Sequence, residues 1–248
     1  MRLKLISCEI LLREMCHVVA RSPHTIDVEF LPKGLHDIAG QGMCGKIQEA
    51  VDRAGGGSYD AVLLGYLLCG LGVEGLTARS QPLVVPRGHD CITLFLGSRR
   101  RYQEYFENNP GTYFKTSGWI ERGRDLSQPG ADTLSTKFGL PRSFEELVER
   151  YGEDNARYLW ETLGQYTKNY RKLVFIEMGV EPNGDFEAAT RREAQEAGME
   201  FEKLAGRLTL FEKLVSGDWD EEDFLVVPPG RRIVATHDER VIAAEEAS

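Results

Sequence analysis

Three cysteines and two histidines in the first ninety-one residues each follow a run of β-type sequence. Cys8 follows Leu3–Ser7, His36 follows Val28–Pro32, Cys69 follows Ala61–Tyr66, and His89 and Cys91 follow Leu83–Pro86. Thiolates and imidazoles are the donors of soft and borderline metals. In an open parallel sheet the carboxyl ends of the strands share one edge, and ligands bind outside it where strand order reverses. Residues this far apart in the chain would therefore meet. Cys8, Cys69 and Cys91 with His36 suit a tetrahedral zinc ion, closed if all four bind and catalytic if one position stays open. The same thiolates also suit an iron–sulfur cluster with one iron left open. No compact Cys-x-x-Cys pair decides between these, and His89 is the alternative nitrogen donor.

The neighbours of these residues extend the chemistry. Pro86-Arg87-Gly88-His89-Asp90-Cys91 places Cys91 in the first turn of the next helix, where the helix dipole favours a thiolate. Cys91 with His89 is thus also a candidate nucleophile–base pair. Asp90 is placed to cap that helix or to move protons. Arg87 is a candidate clamp for a substrate carboxylate or phosphate, and Tyr113 a candidate positioning group. Gly65 and Gly70 flank Cys69 and allow a cofactor to approach the backbone. Ser98, with Gly97, Gly111–Tyr113 and Gly118-Trp119, offers pocket lining. Glu9 and Glu177 also fall at strand ends. Each cysteine taken singly reads more readily as a small buried hydrophobe, and only the three in equivalent positions favour a site; Cys16 and Cys44, on helical segments, are read as buried hydrophobes. There is no Gly-x-Gly-x-x-Gly and no P-loop.

The elements that must position these residues are legible in the hydrophobic pattern. Strands are expected over Arg2–Ser7, Thr25–Leu31, Tyr59–Tyr66 and Pro82–Pro86, with helices over Ile10–Val19, Gly42–Ala54 and Asp90–Phe106. Thr112–Thr116 is a short β piece. Glu121–Leu140 is irregular, rich in Gly, Ser, Asp and Pro. A capping box at Ser143 and Glu146 starts a helix to Tyr151, and a second runs over Glu153–Tyr170. Strands follow at Leu173–Met178, Phe201–Leu204, Phe224–Val227 and Arg231–Thr236, with helices over Asp185–Ala197 and Thr209–Ser216. The acidic, alanine-rich end is expected to fray. This rhythm predicts an α/β fold: an open, mostly parallel Rossmann-like sheet with helices on both faces. One domain over 1–248 is expected, with two similar βαβ halves, 1–120 and 143–236, as an option across the irregular 121–142 segment.

The totals bound the partners. The chain has 248 residues, 42% of them hydrophobic and 28% charged, with a net charge of −9. An acidic surface disfavours nucleic acid. The Arg99–Arg101 run reads as the solvated end of a helix. No stretch approaches the roughly 18 apolar residues of a membrane span. Five cysteines without a signal peptide point to free thiols in the cytoplasm. The aromatic residues between Tyr151 and Tyr170 suit either core or a homo-oligomer face.

Leu35-His36, Gly65-Tyr66-x-x-Cys69-Gly70, Pro86-Arg87-x-His89-Asp90-Cys91, Gly97-Ser98 and Pro110–Tyr113 through Gly118-Trp119 resemble the signatures of domain of unknown function 1638. The resemblance covers roughly residues 3–230. The pair Leu67-Leu68 departs from it where a smaller, glycine-containing pair is expected. Members of that family are often encoded beside corrinoid-dependent methyltransferase systems. The resemblance therefore implies methyl transfer or corrinoid metabolism. Three readings follow: a zinc-thiolate enzyme or accessory acting on a small molecule, a non-catalytic binder of a corrinoid or its methyltransferase, and a Cys91 thiol enzyme.

Overall fold

Five apolar runs build the main sheet of the computed structural model, which describes residues 1–37, 39–56, 58–122 and 170–247 with isolated positions 148, 152, 153 and 157. Strands β1 (Arg2–Cys8), β2 (Thr25–Leu31), β3 (Ala61–Gly65), β4 (Leu83–Pro86) and β8 (Phe224–Val227) lie in the order β2-β1-β3-β4-β8. The first four are parallel and β8 closes the sheet antiparallel to β4. Every residue of β3 and β4 is buried, as continuous apolar sequence requires of strands covered on both faces. Leu5 of β1 sits opposite Val28 on one side and Leu63 on the other. The chain leaves β1 first toward β2 and then toward β3 and β4. Strand order therefore reverses between β1 and β3, where a parallel sheet opens a crevice at its carboxyl edge.

A second, parallel sheet holds β5 (Thr112–Lys115), β6 (Lys172–Glu177) and β7 (Glu200–Ala205) in that order. Val174 and Ile176 of β6 belong to the same buried cluster as Leu5 and Leu63. Helices pack around the sheets: α1 (Leu12–Val19), α2 (Ala39–Ala54), α3 (Ile92–Leu96), α4 (Arg99–Asn108), α5 (Ser117–Arg122), α6 (Asp185–Glu196) and α7 (Thr209–Ser216). Single 3₁₀ turns, Glu9–Leu11 and Lys33–Asp37, leave β1 and β2. The fold is thus α/β and mostly parallel, as the rhythm of the sequence predicts. Sheet membership does not follow the sequence halves, however. β5, from the first half, pairs with β6, and β8, from the second, returns to the first sheet.

Two expectations are corrected. The single helix over Asp90–Phe106 is two helices, because Gly97 takes a left-handed φ of 73° and Ser98 then caps α4 by accepting from the Arg101 amide at 3.4 Å. The acidic tail does not fray. Its strand β10 (Ile242–Glu246) pairs antiparallel with β9 (Arg231–Ala235), and Ile242 is fully buried. The irregular segment from 123 and the helices expected up to Tyr170 lie, isolated positions apart, outside the described residues. Among the described residues no helix is long and apolar enough to cross a membrane.

Candidate functional site at the strand-order reversal

Cys8 is the last residue of β1, and Tyr66 to Cys69 follow β3, so both flank the reversal point. The turn after β2 brings His36 beside them, with Cys8 Sγ 3.5 Å from His36 Nε2. The loop after β4 is held against the loop after β3 by backbone bonds. Leu68 N–H donates to the Gly88 carbonyl at 3.1 Å, and Cys69 N–H to the His89 carbonyl at 2.8 Å. Gly88 is needed there, because a Cβ would press into Leu67 and Thr93. Cys69 and Leu71, with Gly70 between them, all take positive φ (44°, 67° and 70°). That is a sparsely populated conformation for non-glycine residues, of a kind that clusters at functional sites. Cys69 is half-buried, whereas Cys8 and Cys91 are buried.

The fourth wall comes from α5. A Cβ at Gly118 would overlap the Ile10 carbonyl, so this glycine lets α5 seat directly on the turn that follows Cys8. Arg13 Nε donates to Glu121 at 2.9 Å, and Arg122 lies 3.4 Å from Glu9. Glu9 in turn accepts from the Lys33 amide at 2.8 Å, tying the turn after β2 to the same place. Trp119 is delivered over the site: its ring is 6.1 Å from the His36 ring, and Lys33 Nζ stands 5.0 Å from its centroid. The Tyr66 ring closes the other side at 6.5 Å from His36.

Burial dominates the electrostatics of the thiols. It pushes the Cys8 thiol up to about 12, and the neighbouring Glu9 charge adds to this. Burial likewise pushes Cys91 well above the usual thiol range, followed by the charges of Asp90 and Cys69, while a hydrogen bond from Trp119 pulls it down. The Tyr66 phenol is raised by burial and then by the nearby Cys8 and Cys69. Cys8, Cys91 and Tyr66 are thus each held in a low-dielectric setting, with Cys69 among the neighbours of Cys91 and Tyr66. They also correct the expectation of a dipole-stabilised thiolate at Cys91: α3 has only five residues, and desolvation outweighs its dipole. A neutral, buried thiol is the opposite of an activated nucleophile.

The other expected residues separate from this cluster in instructive ways. His89 is exposed and lines a cavity of about 730 Å³ on the far side of its loop, with Ser98, Tyr102, Phe106, Glu222 and Glu239. His89 thus lines a cavity that Cys91 does not, and His36 is the imidazole beside Cys8. Asp90 caps α3, accepting from the Ile92 amide at 3.0 Å and from the Tyr102 hydroxyl at 2.8 Å. Arg87 is no substrate clamp. Its guanidinium donates to the carbonyls of Glu221, Phe224, Arg240 and Ile242, and so straps β8 and β10 to the end of β4. Tyr113 lies within β5, edge-on to Tyr170 at 5.2 Å. Gly65 serves packing, since a Cβ there would overlap Ser7. Gly70 supplies the left-handed turn beside Cys69, with open space around it. Sequence reasoning gave no role to Tyr66 or Lys33, although Tyr66 stands inside the Gly65–Gly70 motif.

Whether these donors fit a metal can be tested directly. The chemistry of the set suits a soft ion. Among the described residues, however, no three His, Cys, Asp or Glu side chains stand close enough together to hold one. Cys8 and His36 have ligand spacing; Cys69 and Cys91 would have to turn inward.

The molecule is therefore an α/β protein with Cys8 and His36 in contact beside the strand-order reversal of a mostly parallel sheet. A family model described as Protein of unknown function (DUF1638) matches residues 30–215, and the chain belongs to that family. The match includes His36, Cys69, Cys91 and Trp119 and begins after Cys8. Comparison with curated proteins and with solved structures returned no match.

Proposed function

We propose that the chain is a metal-dependent enzyme or accessory protein, with Cys8, Cys69, Cys91 and His36 taking a zinc ion at the crevice. Its substrate is a small molecule of methyl-transfer or corrinoid-linked one-carbon metabolism, the setting implied by the family resemblance. One observation carries the reading: Cys8 Sγ and His36 Nε2 stand 3.5 Å apart beside the strand-order reversal, and Cys69 and Cys91 lie in the loops that follow β3 and β4. Zinc bonds of about 2.3 Å to sulfur and 2.1 Å to nitrogen put a tetrahedral S···N edge at roughly 3.6 Å. A bound ion would supply Lewis acidity and would hold the buried thiols as thiolates. Trp119 and Tyr66 would keep water out, and the His89 cavity would bring the substrate to the outer face of the Gly88–Cys91 loop.

Elemental analysis of anaerobically purified protein tests this. About one zinc per chain is expected, falling below a tenth in the Cys8→Ser/Cys69→Ser/Cys91→Ser variant. Cobalt(II) loading should give intense near-ultraviolet sulfur-to-metal absorption. Brown iron-containing protein would move the assignment to a cluster. Metal retained in full by the triple variant would refute it.

A second reading draws on His89, which stands exposed in the 730 Å³ cavity, where a cobalt ion could reach its ring. On that reading the chain binds a corrinoid, or the methyltransferase carrying it, without chemistry of its own. Cobalamin added to the protein should then shift its visible bands, and the His89→Ala variant should abolish the shift.

A further inference from the structure

Both carboxyl oxygens of Glu14, in α1, and the hydroxyl of Ser117, at the start of α5, are buried without a hydrogen-bond partner among the described residues. Both residues are 0% exposed. Nearly all buried polar groups in proteins are satisfied, so two orphans on elements clamped together call for an explanation. The clamp itself is clear: Gly118 abuts the Ile10 carbonyl, and Arg13 binds Glu121. The charged groups facing Glu14 are Glu181 in the turn after β6, Arg13 on its own helix and Glu121 in α5. Two of the three are acidic, and Arg13 is already paired with Glu121. An ionised Glu14 would thus be dry, held only by its own backbone amide, and opposed by the charges of Glu181 and Glu121.

We propose that the α1–α5 contact is a proton-operated latch: with Glu14 protonated, α5 stays closed and Trp119 covers the thiols, and loss of that proton drives α5 away. The link to the site is short. Trp119 lies two residues after Ser117 and stands against His36. Opening would hydrate Glu14 and Ser117 together and uncover the buried Cys8 and Cys91. Burial, the largest influence on the Glu14 carboxyl, holds its proton to about 7, so the latch would work near neutrality. Nothing in it requires the ion proposed above.

The test is alkylation of the full-length, metal-free chain with iodoacetamide between pH 5.5 and 8.5, read at each cysteine by mass spectrometry. The rate at buried Cys91 is divided by that at exposed Cys16 in the same sample. Glu14→Gln keeps the shape and removes the charge. The wild-type-to-variant ratio of that quotient is expected to grow roughly tenfold or more across the range, because ionisation favours the open form. Growth of less than twofold would overturn the latch. Ser117→Ala removes the second orphan and should slow Cys91 labelling about fivefold at pH 8.5. If Glu14→Gln does not fold, that result decides: unchanged labelling in Ser117→Ala overturns the proposal.

Discussion

The two parallel sheets end in carboxyl edges of opposite character. At the edge of β5, β6 and β7 the charges are paired: Lys115 with Glu193, and Lys203 with both Glu177 at 3.2 Å and Glu187 at 3.0 Å. At the edge of β1, β3 and β4 stand three thiols, the buried Tyr66 phenol beside Cys8 and a strained turn at Cys69–Leu71. The same geometric opportunity exists at both edges. One is bridged by ion pairs, although Glu193 Oε1 stays buried without a partner among the described residues, while the other gathers desolvated thiols that a ligand could hold. The kind of group gathered there, ion pairs against buried thiols, tells the two apart.

The largest effect should come from the strap that holds the reactive edge in shape. Arg87→Met leaves four carbonyls without their donor and should cost about 4 kcal/mol in urea unfolding. A substrate clamp would instead lose affinity with stability intact, so this variant also separates the two roles.

Glu14 gives the next largest effect, with a defined pH dependence. Its carboxyl is raised from 4.5 to about 7 in the folded chain, mainly by burial. The folded state therefore holds the proton more tightly than the unfolded state. Stability falls as pH rises from about 4.5, and the loss is complete above about 7. Over that interval the linkage amounts to about 3 kcal/mol. Glu14→Gln should thus be more stable than the native chain by about that amount at pH 8.5 and equal to it near pH 4, as judged by denaturant titrations. A pH-independent difference would mean that the carboxyl finds a partner.

Gly118→Ala should act on the site and on stability at once. The added methyl meets the Ile10 carbonyl, a backbone atom that cannot swing aside, so α5 must lift. A cost of about 2 kcal/mol is expected. Cys8 and Cys91 should then label faster at every pH. Slower labelling, or none of the stability loss, would remove α5 as the wall of the site.

How much of this was legible beforehand differs between strands and side chains. β2, α7 and β8 fall on the expected residues, because their apolar runs are bounded by clear breakers. The break at Gly97-Ser98 was written in the sequence as a helix-ending glycine followed by a capping serine, yet the apolar period ran straight across it. β10 was missed because alanines and glutamates have low strand propensity, and pairing with β9 outweighs that. That Cys8, Cys69 and Cys91 fall at or just after strand ends was legible from the apolar runs alone. The choice of His36 over His89 did not, since it depends on which way a two-residue turn points. Arg87 shows the same limit: its type suits a clamp or a strap, and only the positions of four carbonyls decide. Glu14 was invisible, because one glutamate in an amphipathic helix reads as surface until the fold is seen to bury it.

The smallest effect is expected at the paired edge, and it is the control for the comparison. Lys203 is exposed and shared between Glu177 and Glu187. Exposed pairs of this kind contribute little because water screens them and the side chains lose freedom in forming them. Lys203→Met should leave the melting temperature, the metal content and the labelling of Cys91 unchanged. A change in metal content or in Cys91 labelling would show that the two edges communicate. The division between an ion-paired edge and a thiol-bearing one would then have to be replaced by a single site spanning both sheets.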